Sequence, residues 1–148
     1  MQQKAGIILF GSGQPMTRTE EREQAFILIF EKEFNRDIPI EDIITYANEA
    51  DVFEESDFSS LLAKSVCENL ETIDAIIEEF SIGWKKSRLP KVTVSILRLA
   101  ICEIMFVDSI PEGVSINEAV ELAKKYATPQ DASFINGILG KYSRSRTQ

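Results

Sequence analysis

The chain has 148 residues, 44% hydrophobic and 27% charged, with a formal net charge of −8. That length suits one domain with a real core, and the acidic balance by itself argues against a plain electrostatic nucleic-acid binder. Histidine is absent and only Cys67 and Cys102 are present, so Ser-His-Asp and Cys-His catalysis and a Cys/His zinc site are excluded.

The charge is unevenly spread. Residues 1–80 hold 18 acids and 6 bases, while residues 81–148 hold 6 acids and 10 bases. Such asymmetry points to a basic functional face in the second half, with a merely solvated surface as the bland alternative.

Residues 1–15 carry Gly11, Ser12, Gly13 and Pro15, which break any helix. They read as a leader outside the fold, either a wrongly assigned start ahead of Met16 or a disordered arm. Their apolar run, Ile7 to Phe10, is too brief for a signal-peptide core. The first predicted helix runs from about Thr17 to Arg36. Thr17-x-x-Glu20 is a capping-box pattern, and Phe26, Ile29, Phe30 and Phe34 recur at helical spacing. A short second helix carries Ile40, Ile43, Ile44 and Ala47. Ser56 is placed to cap a long third helix, apolar from Phe58 through Phe80, that stops near Gly83.

A basic connector follows, with Lys85, Lys86 and Arg88, then the stretch that organises the rest. From Ile96 to Val107 every residue except Arg98 and Glu103 is apolar. A helix apolar on nearly all sides lies in the middle of a fold, and this one is too short and too charged to span a bilayer. Arg98 and Glu103 are five apart, so they need partners from neighbouring helices. Beyond Pro111 and Gly113, Ser115-x-x-Glu118 has the form of a second capping box. That helix carries Ile116, Ala119, Val120 and Ala123 inward and ends in Lys124, Lys125 and Tyr126. Thr128 then caps a last helix with Pro129 at its first position and Phe134, Ile135, Ile138 and Leu139 on its apolar face. Residues 143–148 read as a basic frayed tail.

The expected fold is all-α, with six or seven helices around a buried central helix at about 90–107. Asn117 and Asn136 suit buried side-chain hydrogen bonds. Gly137, costly inside a helix by around 1 kcal/mol against alanine, suits a close helix–helix contact. No P-loop, GxGxxG or metal-ligand cluster occurs. The residues therefore imply no enzyme, no cofactor and no metal.

Three segments together resemble the NusB family of bacterial transcription antitermination factors. The first is Thr19-Glu-Glu-Arg-Glu-Gln-Ala-Phe26, continuing to Phe30. The second is Arg88-Leu89 with Ile96-Leu97-Arg98-Leu99-Ala100 and Glu103. The third and most specific joins Ile110-Pro111, Val114-x-Ile116-Asn117-Glu118-Ala119-Val120-Glu121-Leu122-Ala123-Lys124-Lys125-Tyr126 and Phe134-x-Asn136-Gly137-x-Leu139. The likeness spans residues 16–142 and places the natural start at Met16.

This resemblance implies two packed helical subdomains and a non-catalytic, cytoplasmic role. Members of the family bind the boxA element of nascent RNA with the ribosomal protein NusE, within an RNA polymerase antitermination complex serving ribosomal RNA operons; they occur as monomers and homodimers, and no membrane partner is expected. RNA contacts are then expected at Arg18, Arg22, Lys124, Lys125, Ser133 and Phe134. NusE contacts are expected near the start of the central helix, at Lys91, Thr93 and Ser95. Arg98, Glu103, Asn117, Glu118, Asn136 and Gly137 fall to structural roles. Family members open with an arginine-rich helix, whereas here Glu20, Glu21 and Glu23 surround the two arginines. The alternative is therefore a protein-binding helical module with little intrinsic RNA affinity.

Overall fold

In the computed structural model, residues 15–50, 54, 56–83 and 85–146 are described. They form seven α-helices and one short 3-10 turn, Lys86–Arg88, with no strand among them. The chain divides into two units, residues 1–64 and 65–148.

The first unit contains α1 (Arg18–Phe34), α2 (Ile40–Glu49) and most of α3 (Asp57–Glu68). Helix α1 begins as the sequence predicts. Thr17 Oγ1 accepts from the Glu20 amide at 3.1 Å, and the Glu20 carboxylate accepts from the Thr17 amide at 2.8 Å. Two orphan amides are thereby satisfied reciprocally. At the other end, Lys32 Nζ donates to the carbonyls of Arg36 and Ile38, where a cation also complements the helix dipole. Ala25, Phe26, Leu28, Ile29, Ile40 and Ile43 are buried in this unit. Ser56 caps α3 as expected, its Oγ accepting from the Ser59 amide at 3.0 Å.

The predicted long third helix is two helices. Helix α3 stops at Glu68 and α4 (Leu70–Phe80) starts two residues later. Between them Asn69 sits at φ −119°, ψ 24° and its side-chain amide donates to the Ser65 carbonyl at 2.8 Å. Asparagine offers the backbone a local alternative to the helical ladder, and the apolar periodicity on either side hides the break.

The second unit is built on α5 (Lys91–Phe106), with α4, α6 (Glu112–Tyr126) and α7 (Pro129–Arg146) against it. Every residue of α5 from Thr93 to Ile104 is buried, as a helix surrounded on all sides must be. Its two charges find partners on neighbouring helices. The Arg98 guanidinium makes a bidentate pair with Asp74 of α4, Nε to Oδ1 at 2.9 Å and Nη2 to Oδ2 at 3.0 Å. Glu103 Oε1 accepts from Ser115 Oγ of α6 at 2.6 Å.

That second bond corrects the sequence reading of α6. The helix starts at Glu112 behind Pro111, so Ser115 lies inside it and Glu118 is no capping partner. Buried Ser115 instead satisfies Glu103. Helix α7 begins as predicted, with Thr128 Oγ1 accepting from the Asp131 amide at 3.1 Å and Asp131 answering at the Thr128 amide. Its far end differs from the frayed tail expected. The helix continues to Arg146, where Glu112 accepts from Ser143 Oγ at 2.6 Å and from Arg146 Nε at 3.2 Å. The Arg146 guanidinium also lies over the Tyr142 ring, 5.6 Å from its centroid.

Burial pushes the Cys102 thiol up to about 12 from its usual 9.0, with the neighbouring Glu103 carboxylate adding to the shift. A folded-state value above the unfolded one stabilises the fold fully below about pH 9. That contribution is lost as pH rises through the folded value. Because the thiolate is the reactive form, iodoacetamide at pH 8 is expected to label half-buried Cys67 first and Cys102 only on unfolding. Mass spectrometry finding equal labelling of both in the folded protein would contradict this burial.

Candidate nucleic-acid and partner interface

Five of the ten basic residues of the second unit, Lys124, Lys125, Lys141, Arg144 and Arg146, lie on two adjoining helices. Lys124 and Lys125 close α6, and both are exposed. Only Ala127 and Thr128 separate α6 from α7, so the two helices form an αα-hairpin. One turn into α7, Ser133 is exposed and Phe134 half-buried.

Further along α7, Asn136, Gly137, Lys141 and Arg144 are exposed, while Ala132, Ile135, Ile138, Leu139 and Tyr142 are buried. The exposed set recurs at three- and four-residue spacing, so it forms one polar, basic stripe opposite the core face. Lys124 is already paired with Glu121 at 3.1 Å, but both side chains are more than half exposed, and such a pair holds little free energy.

Several expected roles change here. Asn117 and Asn136 are exposed, and neither side chain makes a hydrogen bond among the described residues, so neither is a buried structural asparagine. Gly137 makes no close helix contact, since a Cβ built on it would meet nothing within 4 Å. Its helical penalty is therefore not offset inside the described chain. Lys141 and Arg144 were not singled out from sequence, although their spacing from Ser133 and Gly137, off the apolar positions, carries the signal.

The first helix offers less than two free guanidinium groups. Arg18 pairs with Glu21 at 3.2 Å and lies over the Phe58 ring, 3.8 Å from its centroid. Arg22 is buried, only 5% exposed, and also faces Phe58 at 5.9 Å. As placed, Arg22 presents almost no surface to a phosphate; the π face of Phe58 is one group that attracts its guanidinium inward. Near the start of α5, Lys91 is exposed but Thr93 and Ser95 are fully buried. Those two hydroxyls have no hydrogen-bond partner and cannot form a surface contact with another protein. Lys85 and Arg88, in the connector before α5, are exposed.

The comparisons with known proteins decide the family. The model of the NusB family matches residues 19–144. The chain belongs to the NusB family. Among curated relatives, the transcription antitermination protein NusB of Natranaerobius thermophilus is 46% identical over 128 residues, covering 84% of this chain and 92% of its own. That of Acetivibrio thermocellus is 47% identical over 127 residues, covering 85% and 88%. Among solved structures, T. maritima NusB superposes with a TM-score of 0.79 at 32% identity, covering 88% of this chain and 93% of the other. A crystal structure of the antitermination factors NusB and NusE in complex with dsRNA gives a TM-score of 0.76 at 26% identity, covering 86% and 96%.

The three segments that carry the resemblance in the sequence thus lie in a chain of NusB fold. Membership in a family of transcription antitermination proteins assigns the chain to transcription rather than to catalysis. No described helix is long and apolar enough to cross a membrane.

Proposed function

We propose that this chain is an antitermination factor that binds the boxA element of nascent RNA jointly with the ribosomal protein NusE. The assembly acts on RNA polymerase in the cytoplasm so that it reads through terminators, notably in ribosomal RNA operons. The observation that carries this reading is the set of exposed residues on the α6–α7 hairpin, Lys124 and Lys125 at the end of α6 and Ser133, Asn136, Lys141 and Arg144 along α7, in a chain that shares its fold with a NusB solved beside NusE and RNA. Lysines and arginines there would neutralise phosphates. Half-buried Phe134 lies at the edge of the stripe, where an aromatic ring can stack on an unpaired base. On the NusE side the exposed cations Lys85, Arg88 and Lys91 support a partner contact; Thr93 and Ser95 do not.

Reversing both lysines, Lys124→Glu with Lys125→Glu, tests this set. In fluorescence anisotropy with labelled boxA RNA and NusE, affinity should fall more than tenfold, and the salt slope should drop by roughly one per lysine. NusE binding measured alone should persist. Unchanged RNA affinity in the double variant would remove α6 from the site.

A second reading is favoured by α1, where Arg22 is buried and Arg18 is held by Glu21 and Phe58. With that helix contributing little, intrinsic RNA affinity is low, and the chain behaves chiefly as a protein-binding module until a basic partner completes the site.

A further inference from the structure

The first unit carries a feature that RNA binding does not use. Between α1 and α2 lies a cleft of about 340 Å³. Its apolar surface comes from Ile27, Ile38, Ile43 and Ala47, and Glu31 and Tyr46 also line it. Tyr46 is 58% exposed although most of its side chain is apolar. Glu31 is exposed, and its carboxylate has no cationic partner among the described residues. The same holds for Glu41, Asp42 and Glu49 along α2.

The charge on the described segment that supplies most of the cleft is mostly of one sign: residues 31–50 contain six acids and two bases. Of those bases, Lys32 is spent on the carbonyls that end α1, and Arg36 is bonded to Glu33. A partly open apolar cleft with an uncompensated acidic rim repels RNA and attracts cations. We infer that this cleft is a docking site for an amphipathic helix of a partner protein, with bulky apolar residues on one face and Lys or Arg beside them.

Three observations choose that occupant. The cleft is a groove between two helices with small Ala47 and Ala50 on its wall, so a third helix can approach closely and lay its ridge into the groove. No strand edge is present among the described residues, which removes the main-chain pairing an extended peptide would need. The unpaired carboxylates supply charge complementarity for a basic segment, which sets on-rate and register. The site goes beyond the RNA reading and involves none of the residues assigned to it.

The test uses the full chain and a fluorescent amphipathic peptide with leucines at helical i, i+3 and i+4 spacing and lysines flanking them. A scrambled peptide of identical composition is the control. Isotope-labelled chain should show chemical-shift changes confined to the second half of α1 and to α2, with the scrambled peptide binding at least several-fold more weakly. Tyr46→Ala and Glu31→Lys, both at exposed positions, should each weaken binding by roughly fivefold to tenfold with helix content unchanged by circular dichroism. Ala47→Trp should abolish binding by filling the cleft; where that variant misfolds, the two exposed variants decide. Equal binding of the scrambled peptide, or shift changes outside α1 and α2, would overturn the proposal. So would binding that appears only after residues 1–15 are removed, which would make the chain's own apolar run, Ile7 to Phe10, the occupant.

Discussion

Asp74→Ala should cost the protein about 3–5 kcal/mol of stability, because it strips a bidentate carboxylate from a buried guanidinium. Arg98 is 4% exposed and Asp74 9% exposed. Both carboxylate oxygens accept from it, at 2.9 and 3.0 Å, so the pair joins α4 to α5. Breaking such a pair from one side is far worse than never having it. The remaining charge keeps its desolvation penalty and loses the field that offset it. Against a typical total of about 5–15 kcal/mol, the loss is a third or more of all but the most stable folds and lowers the urea midpoint accordingly. The double variant Asp74→Leu with Arg98→Met removes both charges and should recover much of the stability. Urea melts of the two variants decide it. A loss below 1 kcal/mol in Asp74→Ala would show that the pair is solvated and that α4 is not anchored through it.

Leu99→Ala should be nearly as damaging, by about 2–5 kcal/mol, through lost transfer energy and the cavity left behind. Leu99 is 2% exposed and stands in a helix buried on every face from Thr93 to Ile104. Neighbours on all sides hold their positions, so the space cannot collapse cheaply. Phe106 gives the internal comparison. It lies on the same helix but is 49% exposed, and Phe106→Ala should cost well under the Leu99 value. Comparable losses at the two positions would contradict a fully buried α5.

The central helix was legible because an apolar run of that length, interrupted only by Arg98 and Glu103, leaves a helix no polar face to turn to water. The same logic foretold that Arg98 and Glu103 would find partners on other helices, since charge in such a helix cannot stand alone. Capping was legible where nothing competed, at Thr17, Ser56 and Thr128. It misled at Ser115, because Pro111 had already opened the helix and the hydroxyl was needed by Glu103. Asn69 was invisible for a related reason. A side chain that bonds its own backbone breaks a helix without disturbing the apolar spacing on either side.

The site was less legible than the core. Thr93 and Ser95 are polar residues at the start of a helix, which ordinarily means exposure, but α5 is covered all round and takes them with it. Arg22 is basic and near a helix start, yet it is buried beside Phe58, which is distant in sequence. Asn136 and Gly137 look like packing residues inside an apolar helix; only the arrangement of α7 turns them to solvent. Lys124 and Lys125 are exposed at the end of α6, as expected of cations at a helix C-terminus.

The most direct test is a titration of boxA RNA with this chain at physiological salt, with and without NusE. Few free cations, a net charge of −8 and an inward-turned Arg22 set the expectation. The chain alone should bind weakly and with little sequence preference, and adding NusE should raise affinity by at least tenfold and bring discrimination against a mutated boxA. Tight binding by the chain alone, or no gain in affinity or discrimination with NusE present, would contradict a joint site.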